Sequence, residues 1–198
     1  VTTNPSLDDK QCSLRERKKQ RTWHAIHDAA FDLVTQRGLA HVTIADICAS
    51  ATISERTFFN YFPSKAAAAL GLPATAIAED DERRFLEGRG PLLDDLCELI
   101  ASVSSGHDNL PRVRELIRLE PDLLAALHQW TSGLRKQVIQ LAEKRTSEPV
   151  RAHLAVALVF AALFLHADSG YTNRPGKARA SAADLRATVS RLGELAAE

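Results

Sequence analysis

Arg56, Phe59, Asn60, Tyr61 and Lys65 fall within ten positions of one stretch, SERTFFNYFPSK, residues 54–65. Together they hold the groups that read a nucleic-acid duplex. An Arg guanidinium can bond the O6 and N7 edge of guanine, an Asn amide can bond adenine, and an aromatic ring can touch a thymine methyl. A Tyr hydroxyl and a Lys ammonium suit phosphate oxygens, which fix register without reading sequence. The same stretch crowds four aromatics, Phe58, Phe59, Tyr61 and Phe62, into five positions. A helix of two turns can turn only one face to a core, and Phe58 and Phe62, four apart, share that face. Phe59 is then left outside with Glu55, Arg56 and Asn60, and Tyr61 stands at the rim. The alternative left open by spacing is a plain helical bundle in which the whole cluster is core.

The elements that position these groups are legible from their caps. Trp23, Ile26, Ala30, Leu33 and Val34 recur at spacings of three and four, which predicts a first helix from Ser13 to Gly38. Thr43 caps a second helix of roughly 43–50, with Val42 placed to staple onto Ile47. Ser54 caps a third, roughly 54–61, and Ile53 can staple onto Phe58. Ser64 caps a fourth, whose Ala run stops near Gly71-Leu72-Pro73. Two short helices joined by the turn Ala51-Thr52-Ile53 form a helix-turn-helix, whose second helix enters a major groove. Thr43 and Lys65 sit at helix N-termini, which favour anions.

Charge agrees with a polyanion at one end. The formal net charge is zero. Residues 10–65 nevertheless hold nine Lys/Arg against five Asp/Glu, and residues 66–198 hold sixteen against eighteen. Lys10, Arg15, Arg17, Lys18, Lys19 and Arg21 crowd before the first apolar positions, where they can follow a DNA backbone or reach a minor groove. A solvated arm is the simpler reading of charge alone. Residues 1–12 are polar and read as a disordered arm. Three well-separated cysteines, Cys12, Cys48 and Cys97, suggest reduced thiols and a cytoplasmic setting.

No stretch alternates with period two, so the expected fold is all-α with about nine helices. Helical patterns follow at 76–88 (weak), 91–103, 110–119, 121–145, 148–167 and 181–196, with a flexible loop over 169–181. The apolar run of 153–167 is shorter than the roughly 20 residues a bilayer needs. It predicts a buried helix and no membrane partner.

The stretch TIADICASATISERTFFNYFPSK, with its ending T-F-F-N-Y-F-P-S-K, strongly resembles the helix-turn-helix signature of the TetR/AcrR family of transcriptional regulators over about Arg15 to Lys65. The resemblance implies an all-α homodimer with a DNA-binding domain at 13–65 and a helical ligand-binding and dimerisation domain at 66–198. It implies phosphate contacts at Thr43, Tyr61 and Lys65, and groove contacts at Glu55, Arg56, Thr57, Phe59 and Asn60, with Ser54 at the mouth of the same helix. Two departures stand out. Thr52 occupies a turn position where the family usually has Gly, so the turn is expected to be slightly re-shaped, since β-branched residues tolerate positive φ poorly. Phe59 stands where the family often has Tyr, which removes one phosphate-binding hydroxyl.

Beyond residue 70 the resemblance is thin. The last two helices are the expected dimer surface, because a helix apolar on every side needs neighbours all round. Two recognition helices about 34 Å apart would meet successive major grooves. Arg118, His128, Trp130, His153 and Phe164 are the candidates for a ligand pocket, though aromatic residues on an apolar stripe are more often core. No metal set, cofactor motif or catalytic signature such as G-x-S-x-G or H-E-x-x-H is present. The expectation is a non-enzymatic, homodimeric repressor on a pseudopalindromic double-stranded DNA operator, released by a small apolar or amphipathic effector. An effector-independent regulator or activator, or a helical protein–protein adaptor, are the alternatives.

Overall fold

A computed structural model describes residues 7–104, 110–167 and 180–195. Among them every regular element is helical, with ten α-helices and one short 3-10 turn at Leu39–His41. In chain order they are α1 (Leu7–Arg37), α2 (Ile44–Ala51), α3 (Glu55–Tyr61), α4 (Lys65–Leu70) and α5 (Glu79–Glu87). Then follow α6 (Leu92–Ser104), α7 (Leu110–Leu119), α8 (Leu123–Glu143), α9 (Pro149–Ala167) and α10 (Ala182–Leu195). Most of the expected loop over 169–181 lies outside the described residues. The chain divides into two compact units, one reaching to Ala74 and taking in Leu119–Ala126, the other Thr75–Arg118 and Leu127 onward.

In the first unit α1 packs against α2 and α4. Its start at Leu7 lies six residues before the expected one at Ser13. The segment before Ser13 has neither Pro nor Gly after Pro5 and has acids at its start, so nothing local stops a helix there. Ile26, Ala30 and Val34 supply the buried stripe of α1. His27, also buried, contacts the backbone of α4 through its Nδ1, 2.8 Å from the Ala68 carbonyl oxygen. A buried imidazole needs such a partner. Gly71 ends α4 in the left-handed region at φ 69°, and a Cβ there would sit 3.3 Å from both His27 and Trp23. Only glycine meets the backbone and the space requirement together.

In the second unit α6 packs against α9 and α10. Leu96, Cys97 and Ile100 of α6, Leu134 and Val138 of α8, Val156, Val159 and Phe160 of α9, and Leu185 and Val189 of α10 build its core. Burial raises the Cys97 thiol to about 11, so it stays protonated and unreactive at neutral pH. One largely buried guanidinium ties several chain segments together. Arg145 pairs with Asp95, donates to the Phe85 carbonyl at 3.1 Å and to the Gly90 carbonyl at 3.1 Å, and lies 5.0 Å from the centre of the Phe85 ring. Gly88 completes this clamp, because a Cβ there would come within 2.7 Å of the Asp95 carboxylate.

Helix α9 has two apolar faces. Ala152, Ala155, Val156, Val159, Phe160 and Ala162 are buried. Val150, Leu154 and Phe164 are 71%, 61% and 58% exposed, and Ala157 and Ala161 lie exposed between them. The outward series 150, 154, 157, 161, 164 steps by four and three, the spacing of a seam made for a second helix. By length and composition Pro149–His166 could also cross a bilayer, although a third of that window is buried. The sequence predicted burial for this run; the structure buries one side only.

Candidate nucleic-acid interface

The three short helices of the first unit are each started by a side chain of their own. The Ser54 hydroxyl accepts from the Thr57 N–H at 3.1 Å and shares a 2.8 Å hydrogen bond with the Thr57 hydroxyl. The Ser64 hydroxyl accepts from Ala67 N–H at 3.1 Å. Thr43 makes a full capping box: its hydroxyl accepts from Asp46 N–H at 3.1 Å, while its own N–H and hydroxyl donate to the Asp46 carboxylate at 2.9 and 2.6 Å. Such boxes satisfy N–H groups that the first helical turn cannot pair. The two bonds from Thr43, hydroxyl first, hold the Asp46 carboxyl below its ordinary range, and Arg37 adds a smaller pull.

Between α2 and α3, Thr52 adopts φ 56° and ψ 49°, the one non-glycine residue with positive φ in the described chain. The turn is therefore not re-shaped to suit threonine. It keeps the left-handed geometry, and threonine takes on the strain. The N–H of Thr52 reaches the Ala49 carbonyl at 3.3 Å and that of Ile53 the Cys48 carbonyl at 3.0 Å, so the helix end is well bonded despite the residue type.

Helix α3 is split cleanly. Phe58 is fully buried, as is Phe62 just past its end, with ring centres 6.2 Å apart. Trp23 of α1 stacks 5.6 Å from Phe62, which seats α3 on the domain body. Glu55, Arg56, Phe59 and Asn60 are exposed. Phe59 is 51% exposed and meets the Phe58 ring edge-on, at 5.5 Å and 89°. Its position is thus set by the core beneath it, while its outer face is open. Tyr61 is half-buried and its carbonyl accepts from Ala74 N–H at 2.8 Å.

Lys65 at the start of α4 donates to the Val42 carbonyl at 2.7 Å, one residue before Thr43. That bond brings two of the residues expected at phosphates, Lys65 and Thr43, to one corner, and leaves the ammonium two further donors. Asp46 was not among the expected site residues, yet its carboxylate occupies the Thr43 side of this corner. The T-x-x-D spacing of a capping box was the signal that could have found it. Cys48, buried under the same turn, has its thiol pushed up by burial and by the nearby Glu55.

A protein-family model described as "Bacterial regulatory proteins, tetR family" matches residues 26–69, which span α2, α3 and α4 and the packed part of α1. The chain carries a tetR-family DNA-binding domain. Within this tetR domain α2 and α3 are the helix-turn-helix. The chain is also similar to a solved structure described as "Crystal structure of multidrug binding protein EbrR complexed with imidazole", with 21% identity, 89% of each chain covered and a TM-score of 0.40. No curated protein matches it.

Outside the tetR domain the expected ligand residues are dispersed over α7, α8 and α9. Arg118 is exposed and forks onto Glu115 at 3.0 and 2.5 Å. His128 is exposed. His153 is exposed, with Nδ1 2.9 Å from the Pro149 carbonyl oxygen. Phe164 lies on the outward seam of α9. Trp130 alone packs against the core of the second unit. A cleft between α5 and α6, lined by Asp81, Arg84, Phe85, Asp95, Glu98, Leu99 and Ser102, includes none of the five and holds about 90 Å³. Ligand pockets run roughly 300–1,000 Å³. Among the described residues no group of three or more His, Cys, Asp or Glu is placed to hold a metal ion.

Proposed function

We propose that the protein is a homodimeric transcriptional repressor acting in the cytoplasm, released from a pseudopalindromic operator by a small apolar or amphipathic effector. Residues 13–65 bind DNA and residues 66–198 carry the dimer surface and effector site. The observation that carries this reading is the exposed face of α3. It offers a guanidinium, an amide, a carboxylate and an aromatic ring on a two-turn helix held from behind by Phe58 and Phe62. Arg56 and Asn60 read bases, Phe59 touches a thymine methyl, and Glu55, Thr57 and Ser54 line the groove contact. Tyr61, Lys65 and Thr43 hold phosphates. In this reading the protein has no catalytic role.

The outward seam of α9 supports the dimer. Large exposed side chains in a row at heptad spacing suit a second copy of the same helix, and α10 would complete a four-helix contact. The effector acts only through its different affinities for the DNA-competent and released forms. Trp130, packed on the second unit's core, is its first candidate contact, with Arg118, His128, His153 and Phe164 behind it.

Footprinting on the DNA upstream of the protein's own coding region tests the reading, with and without a panel of apolar compounds. The expected result is two protected half-sites one helical turn apart that fade with one class of compound. Protection that no compound removes would leave a DNA-binding regulator without effector control. Absence of any protected duplex would end the regulator reading.

A further inference from the structure

The exposed side chains of α3 stand in two rows. Successive helical residues are turned by about 100°, whereas residues four apart are nearly in line. Glu55 and Phe59 therefore form one row, and Arg56 and Asn60 the other; neighbours across the rows, 55 with 56 and 59 with 60, form two rungs. Glu55, Arg56 and Asn60 are exposed, and their side chains make no hydrogen bond or ion pair with another described residue. The Phe59 ring is fixed edge-on against Phe58 with its outer side open. Thr57, between the rungs, is half-buried, and its hydroxyl is taken up by Ser54 at 2.8 Å. Each row has one kind of chemistry. Arg56 and Asn60 suit purines, through O6 and N7 of guanine and N6 and N7 of adenine. Glu55 and Phe59 suit pyrimidines, since a carboxylate accepts from N4 of cytosine and an apolar ring touches the C5-methyl of thymine. Across each rung the matches are Watson–Crick partners, C with G at 55–56 and T with A at 59–60. The rungs are four residues apart, roughly 6 Å of helix rise. That distance is about two base-pair steps of 3.4 Å.

We propose that each rung reads both bases of one pair. Glu55 and Arg56 take a G·C pair, and Phe59 and Asn60 take an A·T pair about two steps along the groove. Because the purine readers share a row, the G and the A lie on the same strand, and the C and the T on the other. This pairing rests on the regulator reading above and adds to it which base pairs an operator half-site contains, how far apart they are and how they are oriented. Reading a pair from both strands also makes it more selective than a single contact, because a wrong pair leaves two groups without partners.

The full chain is used to select duplexes from a pool with a randomised central stretch. The unaltered protein should enrich half-sites with a G and an A on one strand, one position apart. Glu55→Ala and Arg56→Ala should relax preference at the same G·C pair, and Phe59→Ala and Asn60→Ala at the same A·T pair. Arg56→Ala and Asn60→Ala should each lose about 5- to 150-fold discrimination at their own pair. Replacing the thymine of the A·T pair by uracil removes only the methyl, and affinity should fall about fourfold. Phe59→Ala should bind the thymine and uracil duplexes equally. If the two members of a rung relax different pairs, or if the uracil penalty persists in Phe59→Ala, the pairing is overturned and the regulator reading stands. Enriched half-sites without the two purines, or binding without enrichment, overturn the pairing in the same way. If the unaltered protein binds no duplex in the pool, both readings fall.

Discussion

Helices α3 and α9 each bury one side and leave the other unpartnered, yet the open sides differ in kind. The exposed positions of α3 are Glu55, Arg56, Phe59 and Asn60, three of which end in hydrogen-bonding groups. Those of α9 include Arg151 and His153 in its first turns, but the seam of Val150, Leu154, Ala157, Ala161 and Phe164 has none. Water tolerates the first face well and the second poorly. A helix that buries one apolar stripe and keeps polar forks outward is suited to a polar, patterned partner such as DNA. A helix that buries one apolar stripe and keeps another outward is suited to a second protein surface. The chemistry of what is left uncovered, more than the helix itself, separates the two roles.

The largest way to break this comparison is to place a charge on the apolar seam. Leu154→Arg should leave the chain folded, because the side chain is already exposed, but should yield monomers by sedimentation. Losing the link between two half-sites should weaken operator binding by roughly 10²–10⁴-fold. A dimer that persists would remove α9 from the interface. Next come the neighbouring rings of α3. Phe58→Ala should cost about 3–5 kcal/mol in denaturant unfolding, whereas Phe59→Ala should cost about 1 kcal/mol or less while lowering operator affinity. Equal losses of stability from the two would contradict the division into buried and reading faces.

Within the reading face, Arg56→Ala should weaken operator binding by about 1–3 kcal/mol and relax preference at one base step. Lys65→Ala should weaken all duplexes alike and flatten the salt slope by about one unit. Competition titrations against single-base operator variants separate the two patterns. The smallest effect concerns the turn. Thr52→Gly should stabilise the fold by about 0.5–1 kcal/mol, since a threonine in the left-handed region costs about 1–2 kcal/mol and glycine returns part of that as chain entropy. A destabilised Thr52→Gly protein would mean that the threonine side chain makes a contact worth more than its strain.

How far these features were legible depends on how local their causes are. The starts of α2, α3 and α4 could be read because Thr43, Ser54 and Ser64 bond N–H groups only three residues away. The split of α3 could be read because Phe58 and Phe62 repeat at helical spacing. The early start of α1 was hidden because its first turns are polar and show no apolar stripe. Asp46 was hidden because its shorter carboxylate departs from the Glu or Gln usual at the third position of a capping box. His27 and Arg145 were illegible for another reason: the carbonyl facing His27 belongs to a residue 41 positions away, and the partners of Arg145 lie 50 to 60 away. The one-sidedness of α9 was likewise invisible, because a run of apolar letters does not say which of them a single subunit can cover.

The clamp around Arg145 carries a consequence for how the second unit comes apart. Short glycine-bearing turns at the surface usually open first, exchanging amide protons and admitting proteases before the rest of a domain. The turn at Gly88–Pro91 is fastened by the Arg145 guanidinium, which lies just past the end of α8, so it should open only when the helices around it do. Its amides should exchange as slowly as those of the core, and an inserted residue there should be tolerated no better than one placed mid-helix.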